Sequence, residues 1–200
     1  MAVVDKPSAR EAKRLQTRER LMGAAIAEFK RAGMADADVG AIVAAAGVAH
    51  GTFFFHFPTK QHVLLELERR EEERIAKQLG RFADAEQDLA AVLREAVRLV
   101  LGLERRLGPV LFKDFLALHF SQNRPTDERN EHPVIVRVAR EIERAQQAGK
   151  VAADVNPLNS AVFFLLGLYA LLTTTHEWPD QSTMIDDFVA QTLRGIGARD

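Results

Sequence analysis

Hydrophobic residues recur along nearly the whole chain at the three-to-four-residue spacing of an α-helix. In the first such segment Leu21, Ala25 and Phe29 form one stripe, and Ser8 with Glu11 supplies a possible capping box at its start. The sequence contains no alternating β-branched run typical of a strand, and its prolines lie at the ends of the periodic segments. The pattern therefore predicts an all-α protein of about nine helices.

Interruptions in this pattern give the approximate ends of the helices. We predict helices over residues 8–31, 38–45, 49–56, 60–79, 86–105, 109–121, 133–148, 157–175 and 182–195. The polar segment SQNRPTDERNEHP at 121–133 carries two prolines and is predicted to be the main loop.

Two of the predicted helices are short and are separated by a glycine. Asp38 is suited to cap the first, and Gly47 to the positive φ of a tight turn before the second. This arrangement is typical of the helix-turn-helix motif, whose second helix enters the major groove of DNA. We therefore expect a three-helix N-terminal domain over residues 1–62, with the motif at about 37–56, and a C-terminal helical bundle over 63–200.

The second short helix lies in GVAHGTFFFHFPTK, residues 47–60, which holds four phenylalanines. At about 100° per residue, Phe53 and Phe57 share one face and point inward, whereas Phe55 points outward and Phe54 lies at the boundary. An exposed ring costs solubility unless something covers it. Either the C-terminal bundle covers Phe55, or the ring lies against DNA, where aromatic side chains contact thymine methyl groups.

Composition adds little to this picture except an uneven distribution of charge. The 200-residue chain has a net charge of −1, with 47% hydrophobic and 28% charged residues. Residues 1–62 hold nine Lys/Arg and six Asp/Glu, giving +3, which leaves −4 for the remainder. A basic N-terminal extension over residues 1–16 therefore favours nucleic acid as the partner of the front domain only.

Other features favour a cytoplasmic protein with no membrane partner. The sequence has no cysteine, which excludes disulfides and thiolate metal sites. The start lacks the apolar core of a signal peptide, and the apolar run at 161–172 is shorter than the roughly 20 residues that span a bilayer.

At this point the chain resembles a known family. The segments TRERLMGAAIAEFKRAG at 17–33 and VGAIVAAAGVAHGTFFFHFPTKQHVLLEL at 39–67 are similar to the TetR family of bacterial transcriptional regulators. The likeness covers about the first 67 residues well; the remainder matches in length and helicity. It implies a homodimeric, ligand-responsive DNA-binding regulator, most simply a repressor released from a palindromic operator by a small lipophilic or aromatic molecule.

The resemblance also assigns roles to matching positions. Base-reading positions are Gly40, Ala49, His50, Gly51 and Phe55, and phosphate-contacting positions are Thr17, Arg18, Thr52, Phe54, His56 and Lys60. Two of these depart from the family pattern. Phe54 replaces a tyrosine whose hydroxyl could donate to a phosphate, and Gly40 offers no side chain, so we expect a less polar readout.

In the C-terminal half two further sites are expected. The run NSAVFFLLGLYALLTTT at 159–175 is apolar around its whole circumference, and the resemblance places the dimer interface on the last two helices. Its predicted residues are Phe163, Leu166 and Phe188.

The segment GPVLFKDFLALHF at 108–120 is either plain core or one wall of an effector pocket. The pocket hypothesis names Phe112, Phe115, Leu116, His119, Tyr169 and Trp178, with Lys113 as a further polar anchor.

Enzymatic and metal sites have no support in the sequence. His50, His56 and His62 are six residues apart, which a helix places on different faces, and no nucleophile motif or Gly-rich phosphate loop occurs. Glu71, Glu72 and Glu73 alternate with arginines and are interpreted as a solvated helix face. We expect no metal, no cofactor and no catalysis. Two alternatives stay open. One is a small-molecule-binding protein whose helix-turn-helix has lost DNA binding, and the other is a helical enzyme, for which the sequence offers no candidate catalytic residues.

Overall fold

The computed structural model describes residues 8–85, 87–121, 125 and 132–198, and every regular element in them is an α-helix. The eight helices are α1 (Ala9–Asp36), α2 (Val39–Ala46), α3 (His50–His56), α4 (Lys60–Ala83), α5 (Leu89–His119), α6 (Pro133–Gln147), α7 (Pro157–Thr175) and α8 (Gln181–Gly195). The predicted all-α class is confirmed. The predicted loop at 121–133 and the start of the predicted N-terminal extension lie largely outside the described residues.

Two glycines interrupt helices that are otherwise continuous. Gly33 has a φ of 81° near the end of α1, as the predicted stop requires. Gly108 has a φ of 76° and is followed by Pro109, which divides α5 into the two helical segments expected at 86–105 and 109–121. This break accounts for eight continuous elements where about nine helices were predicted.

The chain divides into two compact units, and both α4 and α5 contain a boundary between them. The first unit comprises the described residues of Met1–Leu67 and Leu107–Thr126, and the second those of Glu68–Arg106 and Asp127–Asp200. The division predicted at residue 62 was drawn between a DNA-binding part and a ligand-binding part of the chain. It does not coincide with these packing units, and as a division of function it stays a prediction.

In the first unit, α1, α2 and α3 enclose a small apolar core. Leu21, Phe29, Ile42, Phe53 and Phe57 are each 0–1% exposed. The segment after Gly108 joins this unit through a polar contact as well: the Asp114 Oδ2 atom accepts a 2.6 Å hydrogen bond from the Met34 backbone N–H. That bond satisfies a donor immediately after the glycine break in α1.

The second unit is built on the packing of α6 and α8 against α7. Its fully buried side chains include Leu93, Val138, Ile142, Phe164 and Leu168. On α7 the absence of a side chain at Gly167 makes room for Phe188 of α8, whose ring stacks on Phe164 with centroids 5.5 Å apart.

Candidate nucleic-acid interface

The two short helices meet at the angle of a helix-turn-helix. α2 and α3 are bent by 95° about the turn Gly47–Ala49. The Asp38 carboxylate accepts the Gly40 N–H at 2.8 Å and so caps α2 as predicted, and Gly47 is left-handed at φ 64°, ψ 43°. Sequence and structure therefore agree on the local chemistry of this motif.

The phenylalanines of α3 divide as the helical period predicts. Phe53 and Phe57 are fully buried, Phe54 is 47% exposed and Phe55 is 75% exposed. Gly51 leaves open space beside them, since a Cβ built there meets nothing within 4 Å. The surface of α3 thus presents one prominent ring next to a bare stretch of backbone, a shape that suits close approach to the edge of a groove.

The other residues predicted to contact DNA near α3 differ in exposure. Ala49 and His50 are exposed, and Thr52, His56 and Thr17 are half-buried. The His50 ring packs edge-on against Phe54, and the His56 ring lies edge-on to Phe55 at 5.2 Å between centroids. The face therefore combines an apolar centre with hydroxyl and imidazole groups at its rim.

Arg18 has a structural role that the sequence did not reveal. Its guanidinium donates to the His56 carbonyl, lies 3.7 Å from a Glu66 carboxylate oxygen and stacks 4.1 Å from the centre of the Phe57 ring. One side chain thus links α1 to the end of α3 and to α4. Burial lowers the pKa of His56, and the positive charges of Arg18 and then Arg14 lower it further.

Lys60 is likewise engaged within the protein. Its ammonium donates to the Ala35 and Ala37 carbonyls at 2.7 and 3.1 Å, which ties the start of α4 to the end of α1. An ammonium has three N–H donors, so one is left for an additional acceptor such as a phosphate. Sequence spacing alone gave no sign of either internal bond.

At Gly40 the structure gives a local reason for the small residue. A Cβ built there lies 3.1 Å from the Asp38 Oδ1 atom that caps α2, tighter than a normal contact. A larger side chain at this predicted base-reading position must displace that carboxylate slightly.

Residues 21–67 match the profile described as "Bacterial regulatory proteins, tetR family". This match covers the helix-turn-helix and the helices on either side of it, and over these residues the chain is similar to the tetR family. Comparison with curated protein sequences gave no match.

Solved structures share the fold of this chain along nearly its whole length. Thermus thermophilus FadR, a TetR-family transcriptional repressor in complex with lauroyl-CoA, has a TM-score of 0.70 at 22% identity and covers 92% of this chain and 96% of its own. RolR in complex with resorcinol has a TM-score of 0.71 at 20% identity, and the match covers 94% of this chain and 91% of RolR. SmeT, the repressor of the Stenotrophomonas maltophilia multidrug efflux pump SmeDEF, has a TM-score of 0.66 at 21% identity. The match covers 92% of this chain and 93% of SmeT.

The residues predicted to line an effector pocket are divided between the two units. In the first unit Phe112, Phe115 and Leu116 are 2–4% exposed, and the two phenylalanine rings are stacked with centroids 6.3 Å apart. His119 is half-buried and Lys113 is exposed.

In the second unit the other two predicted pocket residues differ sharply in exposure. Tyr169 is 5% exposed, whereas Trp178 is 56% exposed. Tyr169 is therefore buried and Trp178 exposed, and their place in an effector pocket stays a prediction.

Buried acids beside Tyr169 were missed by the sequence analysis. Glu68 and Glu72 are 2% and 7% exposed, so the interpretation of Glu72 as part of a solvated face is wrong. Burial, and then the charges of Glu72 and Glu68, raise the pKa of Tyr169. The His132 Nδ1 atom lies 3.5 Å from the Glu72 Oε1 atom. The helical period could have indicated this burial. Glu68 lies four residues after Leu64 and Glu72 three residues before Ile75, so both acids fall on the apolar stripe of α4.

The predicted dimer face is exposed on α7 and α8. Phe163 is 70% exposed and Leu166 41%, whereas Phe188 is half-buried against its own chain. Beside them lies an open groove of about 490 Å³, lined by residues that include Asn159, Phe163 and Phe188. By length and composition α7 could even cross a membrane, with a mean hydropathy of 1.6, and only 39% of that window is buried within the chain. Apolar surface on α7 is therefore left uncovered by the chain.

Proposed function

We propose that this chain is a homodimeric transcriptional regulator that binds double-stranded DNA through α3 and responds to a small molecule bound in its C-terminal half. The observation that carries the proposal is the 75% exposure of Phe55 beside the open backbone of Gly51, on the second helix of a helix-turn-helix. A bulky ring is unfavourable in water, but against the major groove it can contact thymine methyl groups while its polar neighbours reach phosphates. A cytoplasmic location follows from this function.

Repression is the simplest mode of action. A protein that occupies an operator blocks transcription, and an effector that weakens DNA binding releases it. The relatives FadR and SmeT are both described as repressors, which supports the same assignment here.

The effector is proposed to be largely apolar or aromatic. In the first unit, Phe112, Phe115 and Leu116 supply apolar surface of the kind that lines ligand pockets. FadR was solved with lauroyl-CoA and RolR with resorcinol, so this fold accommodates ligands with apolar or aromatic parts. The same three apolar residues serve as ordinary core if the effector binds elsewhere.

Within the first unit a hydrogen bond offers a route from the effector segment to the DNA-binding helices. Asp114 lies between Phe112 and Phe115 in sequence and accepts the Met34 N–H at the end of α1. A ligand that moves this segment would therefore strain or release α1. For this to be allostery, the ligand must bind the DNA-competent and DNA-incompetent arrangements with different affinities.

One observation favours the alternative of a small-molecule-binding protein without DNA affinity. Arg18 and Lys60, two of the cations assigned to phosphates, both have partners inside the chain, and Phe54 has no hydroxyl to donate. Under that alternative the helix-turn-helix is a relic with structural use only.

Selection of bound fragments from a random DNA pool at fixed salt separates the two functions. The proposal expects a palindromic sequence with half-sites about 34–36 Å apart, one helical turn, because a two-fold dimer presents two copies of α3. It also expects affinity to fall steeply as salt rises, since phosphate contacts release counterions. Absence of an enriched sequence, or affinity that is indifferent to salt, would favour the alternative.

A further inference from the structure

A second charged surface lies in the C-terminal unit, remote in sequence from the helix-turn-helix. Between α4 and α5 is a groove of about 370 Å³ whose lining includes Arg74 and Arg81 on α4 and Arg98 and Arg106 on α5. Ligand pockets in proteins have volumes of about 300–1,000 Å³, so the groove is large enough for a small molecule. Four guanidinium groups therefore line one space of this size.

The spacing of these arginines places each pair on one side of the groove. Arg74 and Arg81 are seven residues apart, and Arg98 and Arg106 are eight apart, so each pair lies along a single helical face. Midway along the α5 row is Gly102, where a Cβ would come 3.4 Å from the Arg106 Nη1 atom. Glycine costs a helix interior about 1 kcal/mol relative to alanine, and here it leaves space for a guanidinium.

Two neighbouring carboxylates are paired with arginines of the groove. The Glu71 Oε2 atom accepts hydrogen bonds from both Arg74 and Arg106, each at 2.8 Å. Arg98 is paired with Glu95 at 2.6 Å in the same helix. Among the described residues Arg81 has no ion pair. Glu71 and Glu95 are thus paired with three of the four arginines that line the groove.

We propose that this groove binds a small organic molecule that carries a phosphate or diphosphate group. Arginine suits this role because its planar fork of N–H donors matches the oxygens of a phosphate. Arginines that converge from two helices surround such an anion, and Leu99 at the groove wall gives the organic part an apolar contact. The proposal is independent of DNA binding by α3.

Calorimetric titration of the full chain with inorganic pyrophosphate, without DNA, tests this proposal. The groove is expected to bind pyrophosphate saturably, and Arg81→Gln combined with Arg98→Gln removes one cation from each side. Because a hydrogen bond between charged groups contributes more than a neutral one, we expect at least about tenfold weaker binding in the double variant. Both side chains are exposed, so the fold should persist, and an unchanged melting temperature verifies that it does.

Arg94→Gln is the matched control, since Arg94 is exposed on α5 one turn before Arg98 and does not line the groove. This variant should bind pyrophosphate as the parent does. The proposal is overturned if the parent shows no saturable binding, or if Arg94→Gln loses as much affinity as the double variant. It is also overturned if the double variant keeps its pyrophosphate affinity and loses DNA affinity instead, because the groove would then be a nucleic-acid contact.

Discussion

At the scale of single residues, Gly167 shows how one missing side chain sets the distance between two helices. A Cβ at this position would lie 2.7 and 2.8 Å from the Phe188 Cε2 and Cζ atoms, and the ring has little room to move because it is stacked on Phe164. We expect Gly167→Ala to destabilise the protein by about 1–3 kcal/mol through overpacking. Denaturant unfolding measures this free energy.

Gly23 on α1 provides the control for that substitution. A Cβ there meets nothing within 4 Å, so Gly23→Ala should stabilise the protein by about 0.5–1 kcal/mol through helix propensity alone. If the two variants were equally stable, the proposed contact between α7 and α8 would be contradicted.

His56 gives stability a dependence on pH. Its pKa in the folded protein is lowered by burial and then by Arg18 and Arg14, so the unfolded chain binds the proton more readily. The stability associated with neutral His56 is therefore complete above the ordinary pKa near 6.5 and is lost as pH falls towards the lowered value.

In His56→Gln this loss should disappear, so that urea midpoints at pH 7.5 and 5.5 differ less than they do in the parent. His50→Gln, at the exposed start of α3, controls for the removal of a histidine. Equal pH dependence in parent and His56→Gln would show that His56 does not titrate differently on folding.

The sequence predicts the burial of a side chain where the helical period alone determines which way that side chain points. The burial of Phe53 and Phe57 and the exposure of Phe55 follow from the helical period within one short helix. The internal bonds of Arg18 and Lys60 join residues 38 and 25 positions apart, which no local pattern encodes. Glu72 was misjudged because adjacent arginines suggested solvent, although its position on the α4 stripe indicated burial.

At the scale of helices, glycines, prolines and capping residues made the elements predictable. The Ser8–Glu11 capping box, the Asp38 cap and the left-handed Gly47 are all present as expected. What the pattern could not give is the partner of each apolar face. Helix α7 is apolar all round, and its sequence does not say which side meets α8 and which side the chain leaves uncovered.

The exposed side of α7 leads to a prediction about association. If a second copy covers Phe163, Phe163→Lys should convert dimers into monomers, because a buried unpaired ammonium is strongly unfavourable. Analytical ultracentrifugation over a range of concentrations measures the change, and we expect the dissociation constant to rise at least about a hundredfold.

Val136→Lys is a suitable comparison, since Val136 is 52% exposed on α6 and belongs to the same unit. It should leave association unchanged. Dimers of Phe163→Lys as stable as those of the parent would remove α7 from the interface.

At the scale of the whole molecule, the grouping of residues depends on contacts that are distant in sequence. The described residues of Leu107–Thr126 join the unit that holds the helix-turn-helix, whereas linear order suggested a simple division near residue 62. The bond from Asp114 to Met34 spans 80 positions and follows no periodic signal. Helix boundaries are local properties and could be predicted, but this assembly could not.

The central claim is that the ring of Phe55 reads DNA, and it is tested most directly by one pair of substitutions. The measurement is the affinity of Phe55→Ala and of Phe120→Ala for the operator fragment selected with the parent protein, at one fixed salt concentration. Phe120 is 49% exposed and lies outside the helix-turn-helix, so it controls for loss of an exposed phenylalanine. We predict that Phe55→Ala weakens specific binding by about 1–3 kcal/mol per half-site, with Phe120→Ala close to the parent. Equal affinities of the two variants for that fragment would contradict the account.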